Sequence, residues 1–169
     1  MSLQSIDKTI YRKRLNRVIV AIIIILLVFT LGSSTLLIKL LGEPGGSNFI
    51  LNLIGLGIGA SIIGFLFYRY NHHPYLYEVM YVWRLKQELN RIYRKTAKLK
   101  LAVEENNPDA LIIMNFSLKG SEQLYELDDN DLTLNDLRKE LQALEEKIRA
   151  LGMTVSTDDY HRGLLKQLA

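Results

Sequence analysis

Hydrophobic positions follow two regimes along this chain. As far as Tyr70 they come in unbroken blocks; beyond Pro74 they recur every three or four residues. The first block, "VIVAIIIILLVFTLGSSTLLI", runs from Val18 to Ile38, 21 residues without a charge. As a helix it measures about 30 Å, the thickness of a hydrocarbon core. The second block, from Phe49 to Tyr68, is also uncharged. Between them, "KLLGEPGGSN" carries Gly42, Pro44, Gly45 and Gly46, a tight turn. The pattern predicts a transmembrane hairpin: a basic cytoplasmic segment over 1–17, a first span over 18–41, an external turn over 42–48 and a second span over 49–70.

The periodic part predicts a cytoplasmic helical domain over 75–169. Val82, Leu85, Leu89, Ile92, Thr96, Leu99 and Val103 form an apolar stripe, read as one long helix from Tyr75 to about Glu105. Asn107 is a good N-cap, Pro108 suits a first helical turn and Asp109 complements the dipole of a second helix. Its face is Leu111, Met114, Leu118 and Tyr125, widened by Ile113, Leu124 and Leu127. "YELDDNDL" reads as a break. Thr133 and Asp136 stand in capping-box positions for a third helix with Leu134, Leu137, Leu141, Leu144, Ile148 and Leu151 on one face, ended by Gly152. Ser156 is the expected cap of a last helix holding Tyr160, Leu164, Leu165 and Leu168. The fold expected is all-α: a two-helix transmembrane hairpin followed by a small helical bundle.

Charge then orients the hairpin. Residues 1–17 hold Lys8, Arg12, Lys13, Arg14 and Arg17 against Asp7, and the turn holds only Lys39 and Glu43. Arg69 and a basic run from Arg84 to Lys100 follow the second block. Positive residues stay cytoplasmic, so both termini are expected inside. Tyr68, Tyr70, Tyr75, Tyr77, Tyr81 and Trp83 cluster at the inner boundary, as interfacial aromatics do. The alternative is a signal peptide cleaved near Gly32-Ser33-Ser34; the apolar run continuing to Ile38 argues against it.

"GLGIGASIIG", residues 55–64, fits two motifs. Gly55, Gly57 and Ala60 match the G-x-G-x-x-A of a dinucleotide loop, which needs a strand before it and a βαβ unit around it. Gly55 and Gly59 match the G-x-x-x-G of packed membrane helices. Apolarity on every face to Tyr68 favours the second. Gly32 and Ser33 in the first span are expected at similar depth, so Gly32, Ser33, Gly55 and Gly59 are the predicted helix-packing residues.

Candidate chemistry is sparse. The absence of cysteine excludes disulfides, thiol nucleophiles and thiolate metal sites. His72 and His73 read as a wet interfacial linker, and His161 as part of a capped helix start. Asp129, Asp131, Thr133, Asn135 and Glu140 have a calcium-loop spacing, but Leu134 stands where glycine is needed. No catalytic residue, cofactor or metal is expected. The basic helix carries Arg84, Arg91, Arg94, Lys95 and Lys98, a candidate lipid-contact set; no nucleic-acid domain accompanies it.

"LQSIDKTIYRKRLNRVIV", "NHHPYLYEVMYVWRLKQELNRIYRK" and "NPDALIIMNFSLKGSEQLYELDDNDLTL" resemble the family of domain of unknown function 3087, with "HHP", the "VW-LKQ" stretch and "YELDDN" as distinctive words. The resemblance runs from Leu3 to about Leu165. It implies a two-span bacterial inner-membrane protein, of gammaproteobacterial type, and brings no activity. The expected function is a non-enzymatic, membrane-anchored interaction or scaffold module with an unknown protein partner, homo-oligomeric contacts included. Alternatives are an anionic-lipid surface sensor using the basic helix, or a membrane-bound enzyme using His72, His73 or His161.

Overall fold

The computed structural model describes residues 2–43 and 46–167; Pro44 and Gly45 of the expected turn, and Leu168, lie outside them. Among the described residues the chain is helical and forms no strand. The helices are α1 (Lys8–Leu41), α2 (Phe49–Tyr70), α3 (Tyr77–Tyr93), α4 (Thr96–Glu104), α5 (Pro108–Asp128), α6 (Asp131–Ala150) and α7 (Arg162–Gln167). Short 3₁₀ turns occupy Pro74–Leu76 and Thr157–Asp159. The described residues between 9 and 80 make one compact unit, and residues 2–8 with 81–167 make another.

In the first unit, α1 and α2 are both long and apolar enough to cross a membrane. They run antiparallel: Gly55 meets Ser34, and Gly59, one turn on, meets Thr30 and Leu26 further back along α1. Their outward surface is apolar, with Leu27, Leu31, Leu36, Leu53 and Phe65 all more than half exposed. Helix α1 begins at Lys8, so the basic segment over 1–17 is mostly its first turns and not a separate element.

The second unit is built on α5. Ala110, Leu111, Ile113 and Phe116 are fully enclosed there. Leu111 and Leu118 pack with Leu141, Leu144 and Ile148 of α6, joined by Val103 of α4 and by Met153 and Val155. The Asn107 side chain accepts a hydrogen bond from the Ala110 amide at 3.1 Å, starting α5. Just before it, Asn106 turns the chain at φ 58°. Asp129 ends α5 at φ 55°, a conformation that Asn and Asp tolerate better than most residues. The chain's N-terminal stretch belongs to this unit: the Gln4 amide donates to the Tyr81 hydroxyl at 2.9 Å, the Gln123 amide donates to the Gln4 carbonyl, and Lys8 pairs with Asp129.

Four expectations about elements are corrected. The long helix over 75–105 is interrupted: α3 ends at Tyr93, whose carbonyl accepts from the Thr96 hydroxyl at 2.8 Å, and α4 resumes at Thr96. The apolar stripe survives the interruption, with Ile92 and Leu99 both buried, which is why periodicity alone conceals it. Helix α6 starts at Asp131, two residues before Thr133, and Leu151 at the far end of its stripe is exposed. Ser156 caps a 3₁₀ turn, accepting from the Asp158 amide at 3.1 Å while Asp159 accepts from the Ser156 amide; α7 is a separate helix. Tyr81 is enclosed and donates to Gln123 at 2.9 Å, so it does not join the exposed aromatic belt.

Candidate functional site

The seam of α1 and α2 is made by small residues. A Cβ on Gly55 would stand 2.1 Å from Ser34 Oγ and 3.0 Å from the Thr30 carbonyl, and one on Gly59 would stand 2.6 Å from Thr30 Oγ1. The two backbones therefore approach to a distance no larger residue permits. Thr30 Oγ1 is buried there without a hydrogen-bond partner, so shape at this crossing does more than hydroxyl bonding. Gly32 does not face α2: a Cβ there would meet nothing within 4 Å. Ser34 and Thr30, not Gly32 and Ser33, face the glycines. The helices cross at a register that places Gly55 one residue beyond Ser33, and the intervening 100° of helical rotation turns Ser33 partly aside.

Towards the other end of the pair, α1 and α2 diverge around a groove of about 310 Å³. Its walls include Ala21, Ile22 and Ile25 on α1 and Ile63 and Phe67 on α2; Tyr70, His73 and Tyr75 line its mouth. The 3₁₀ turn at Pro74 builds that mouth: His73 Nδ1 accepts from the Tyr75 amide at 3.1 Å. Arg14 fixes the turn in place. Its guanidinium donates to the Pro74 carbonyl at 3.1 Å, pairs with Glu78 and sits 5.1 Å from the Tyr75 ring centroid. Arg17 donates to the Tyr75 hydroxyl at 3.3 Å, and Arg69 lies 5.7 Å from the Tyr70 ring centroid.

In the second unit the notable group is Glu88, a carboxylate with no exposed surface. It accepts from the Tyr160 hydroxyl at 2.8 Å, from Arg162 Nε at 2.9 Å and Nη2 at 2.8 Å, and from Arg91 at 3.0 Å. Tyr160 in turn stacks on Phe116, ring centroids 4.1 Å apart. Burial pushes the Glu88 carboxyl up, but the hydrogen bonds from Arg162 and Tyr160 and the charges of Arg162 and Arg91 together hold it below its ordinary value. Burial, then the hydrogen bond and charge of Glu88, push the Tyr160 phenol well up, so it remains a neutral donor. This arrangement pins the segment after α6 onto α3 and α5. Sequence reasoning missed it, although one signal was available: Glu88 lies beside Leu85, Leu89 and Ile92, an acid on the apolar face of a basic helix.

A protein-family model described as "Protein of unknown function (DUF3087)" matches residues 1–165. The chain belongs to that family. No curated protein and no solved structure matches it.

In this DUF3087 protein the basic set is divided. Arg91 serves Glu88, and Lys95 donates to the Leu165 carbonyl at 2.8 Å, while Arg84, Arg94 and Lys98 are exposed. His72 and His73 stay in the turn after α2, and His161 is exposed beside Tyr160. The calcium-loop spacing from Asp129 falls into α6, a helix from Asp131 on, which cannot wrap a cation as a loop does.

Proposed function

We propose that this DUF3087 protein is a non-enzymatic, two-span inner-membrane protein that holds its helical bundle at the cytoplasmic face as an interaction module. The carrying observation is the inverted surface of α1 and α2: apolar side chains face outward while Gly55, Gly59 and Ser34 are enclosed. In water such a surface is costly; in lipid it is the expected one. Sidedness has its own support. Residues 2–8, which lead into α1, pack in the same unit as residues 81–167, after α2. A chain crossing twice returns both flanks to one side, and their Lys and Arg content favours the cytoplasm. Trp83, Tyr93 and Leu101, exposed on α3 and α4, are the surface offered to a protein partner or a second copy. Glu88 has no exposed surface and His73 Nδ1 is engaged with the backbone, which supports a role without catalysis.

Reporter fusions test the reading. A reporter active only outside the cytoplasm works when inserted at Ser47 and fails when fused after Gln167. Activity at the second position overturns the topology. Crosslinking in intact cells from residue 83 or 93, read by mass spectrometry, then identifies what the bundle touches. Lipid-surface sensing through the basic helix is less favoured, because Arg91 pairs with Glu88 and Lys95 donates to the Leu165 carbonyl.

A further inference from the structure

We propose that the groove between α1 and α2 is a binding site for an anionic phospholipid of the cytoplasmic leaflet, one acyl chain lying in the groove and the phosphate at its mouth. The proposal rests on the two-span reading above and adds a ligand to it.

The groove has the polarity gradient of such a lipid. From Ile25 to Val18 it follows about 10 Å of helix, roughly two-thirds of one leaflet of a 30 Å core. Along that length Ala21, Ile22, Ile63 and Phe67 present only hydrocarbon. Ala21 leaves room on α1 between the branched side chains of Val20 and Ile22. The gap cannot stay empty beside fluid lipid, because an apolar void forfeits dispersion contacts on every wall that an acyl chain restores.

The mouth then selects a headgroup. It opens where the uncharged stretches end, at Arg17 before Val18 and at Arg69 after Tyr68. Both cations are held against aromatic residues that line the mouth, Arg17 through the Tyr75 hydroxyl and Arg69 over the Tyr70 ring. Neither has an acidic partner among the described residues. Arg14 differs: Glu78 matches its charge, and it holds the turn that carries Tyr75. Two uncompensated guanidiniums above an acyl-sized groove fit a phosphate whose lipid carries a net negative charge. A zwitterionic lipid brings its own ammonium to the same place and gains less.

The experiment uses the full chain in nanodiscs of equal phosphatidylglycerol and phosphatidylethanolamine, with co-purifying lipid read by native mass spectrometry. The expected result is enrichment of phosphatidylglycerol. At about 1 kcal/mol per basic residue near the surface, Arg17→Gln and Arg69→Gln each lower the preference roughly fivefold. Ala21→Phe, which fills the groove, abolishes retention of either lipid; Ile63→Phe repeats this from the opposite wall if the first variant does not insert. Equal retention of the two lipids by the wild type, or retention unchanged in both filled variants, overturns the proposal. Displacement of the bound lipid by millimolar inorganic phosphate also overturns it, since the mouth would then read a free anion. The Ser47 and Gln167 reporters separate the failures: correct topology without lipid preference sinks only this inference, whereas wrong topology sinks the two-span reading itself.

Discussion

In the bundle, Leu85, Ile92, Leu111 and Phe116 are sealed inside while Glu126 and Lys139 face out. In the α1–α2 pair, Leu27, Leu31, Leu53 and Phe65 face out while Gly55, Gly59 and Ser34 are sealed inside. The first arrangement is driven by taking apolar area out of water, at about 25 cal/mol per Å². The second gains nothing from burial if its surroundings are hydrocarbon, so it depends on how closely two backbones can approach. The bundle should therefore be sensitive to loss of an internal partner, and the pair to gain of internal volume.

The strongest test removes Glu88, the one buried charge among the described residues. Glu88→Ala leaves the buried Tyr160 hydroxyl without its acceptor, about 1–3 kcal/mol, and opens a cavity in the core that adds to it, while Arg162, largely exposed, turns to solvent. Hydrogen exchange of α5 amides should accelerate accordingly, with α1 and α2 unaffected. A change below 1 kcal/mol would mean that the bundle does not depend on this carboxylate. Next in size, Gly55→Leu drives side-chain atoms into Ser34 and the Thr30 carbonyl; overpacking of this kind costs about 1–3 kcal/mol. Proteolysis in mild detergent should reveal a loosened pair and an unchanged bundle. An equal response of both regions would dissolve the contrast.

Tyr160→Phe removes a single donor to a charged acceptor, about 1.5 kcal/mol. It also carries a pH signature. Glu88 is held below its ordinary value, so its stabilisation is present above the normal carboxylate range and is lost as pH falls through the depressed value. Without the Tyr160 donor the depression is smaller, and acid unfolding of the bundle should begin at higher pH. At the alkaline edge the sign reverses: the raised Tyr160 phenol stabilises up to the ordinary tyrosine range, and that contribution is lost as pH rises beyond it. The smallest effect is expected at Gly32→Leu, which meets open space and should stay within about 0.5 kcal/mol in both regions.

What could be read from sequence divides along the range of the interactions. Asn107 and Pro108 announce the start of α5 because capping is local, three residues wide. The apolar stripes of α3 and α6 follow from helical period. The interruption after Tyr93 escapes periodicity because Ile92 and Leu99 keep the same face across it. The start of α6 is hidden because Asp131 and Thr133 are both plausible first-turn residues. Gly55 and Gly59 share a helix face by spacing alone, but that they meet Ser34 and Thr30 depends on how two helices cross, which no single helix encodes. Glu88 and Tyr160 are 72 residues apart, and nothing local to either names the other.

The packing of residues 2–8 against the bundle also sets a timetable. The hydrogen bond from Gln123 to the Gln4 carbonyl joins positions 119 residues apart. At about 5–20 residues per second, synthesis of that stretch takes roughly 6–24 s, during which both apolar helices emerge from the ribosome and the N-terminal stretch has no docking surface. The contact can close only after α5 exists, so it latches the finished protein. A purification tag fused ahead of Gln4 would ride on that latch, and the bundle's stability should respond to it more than to the same tag placed after α7.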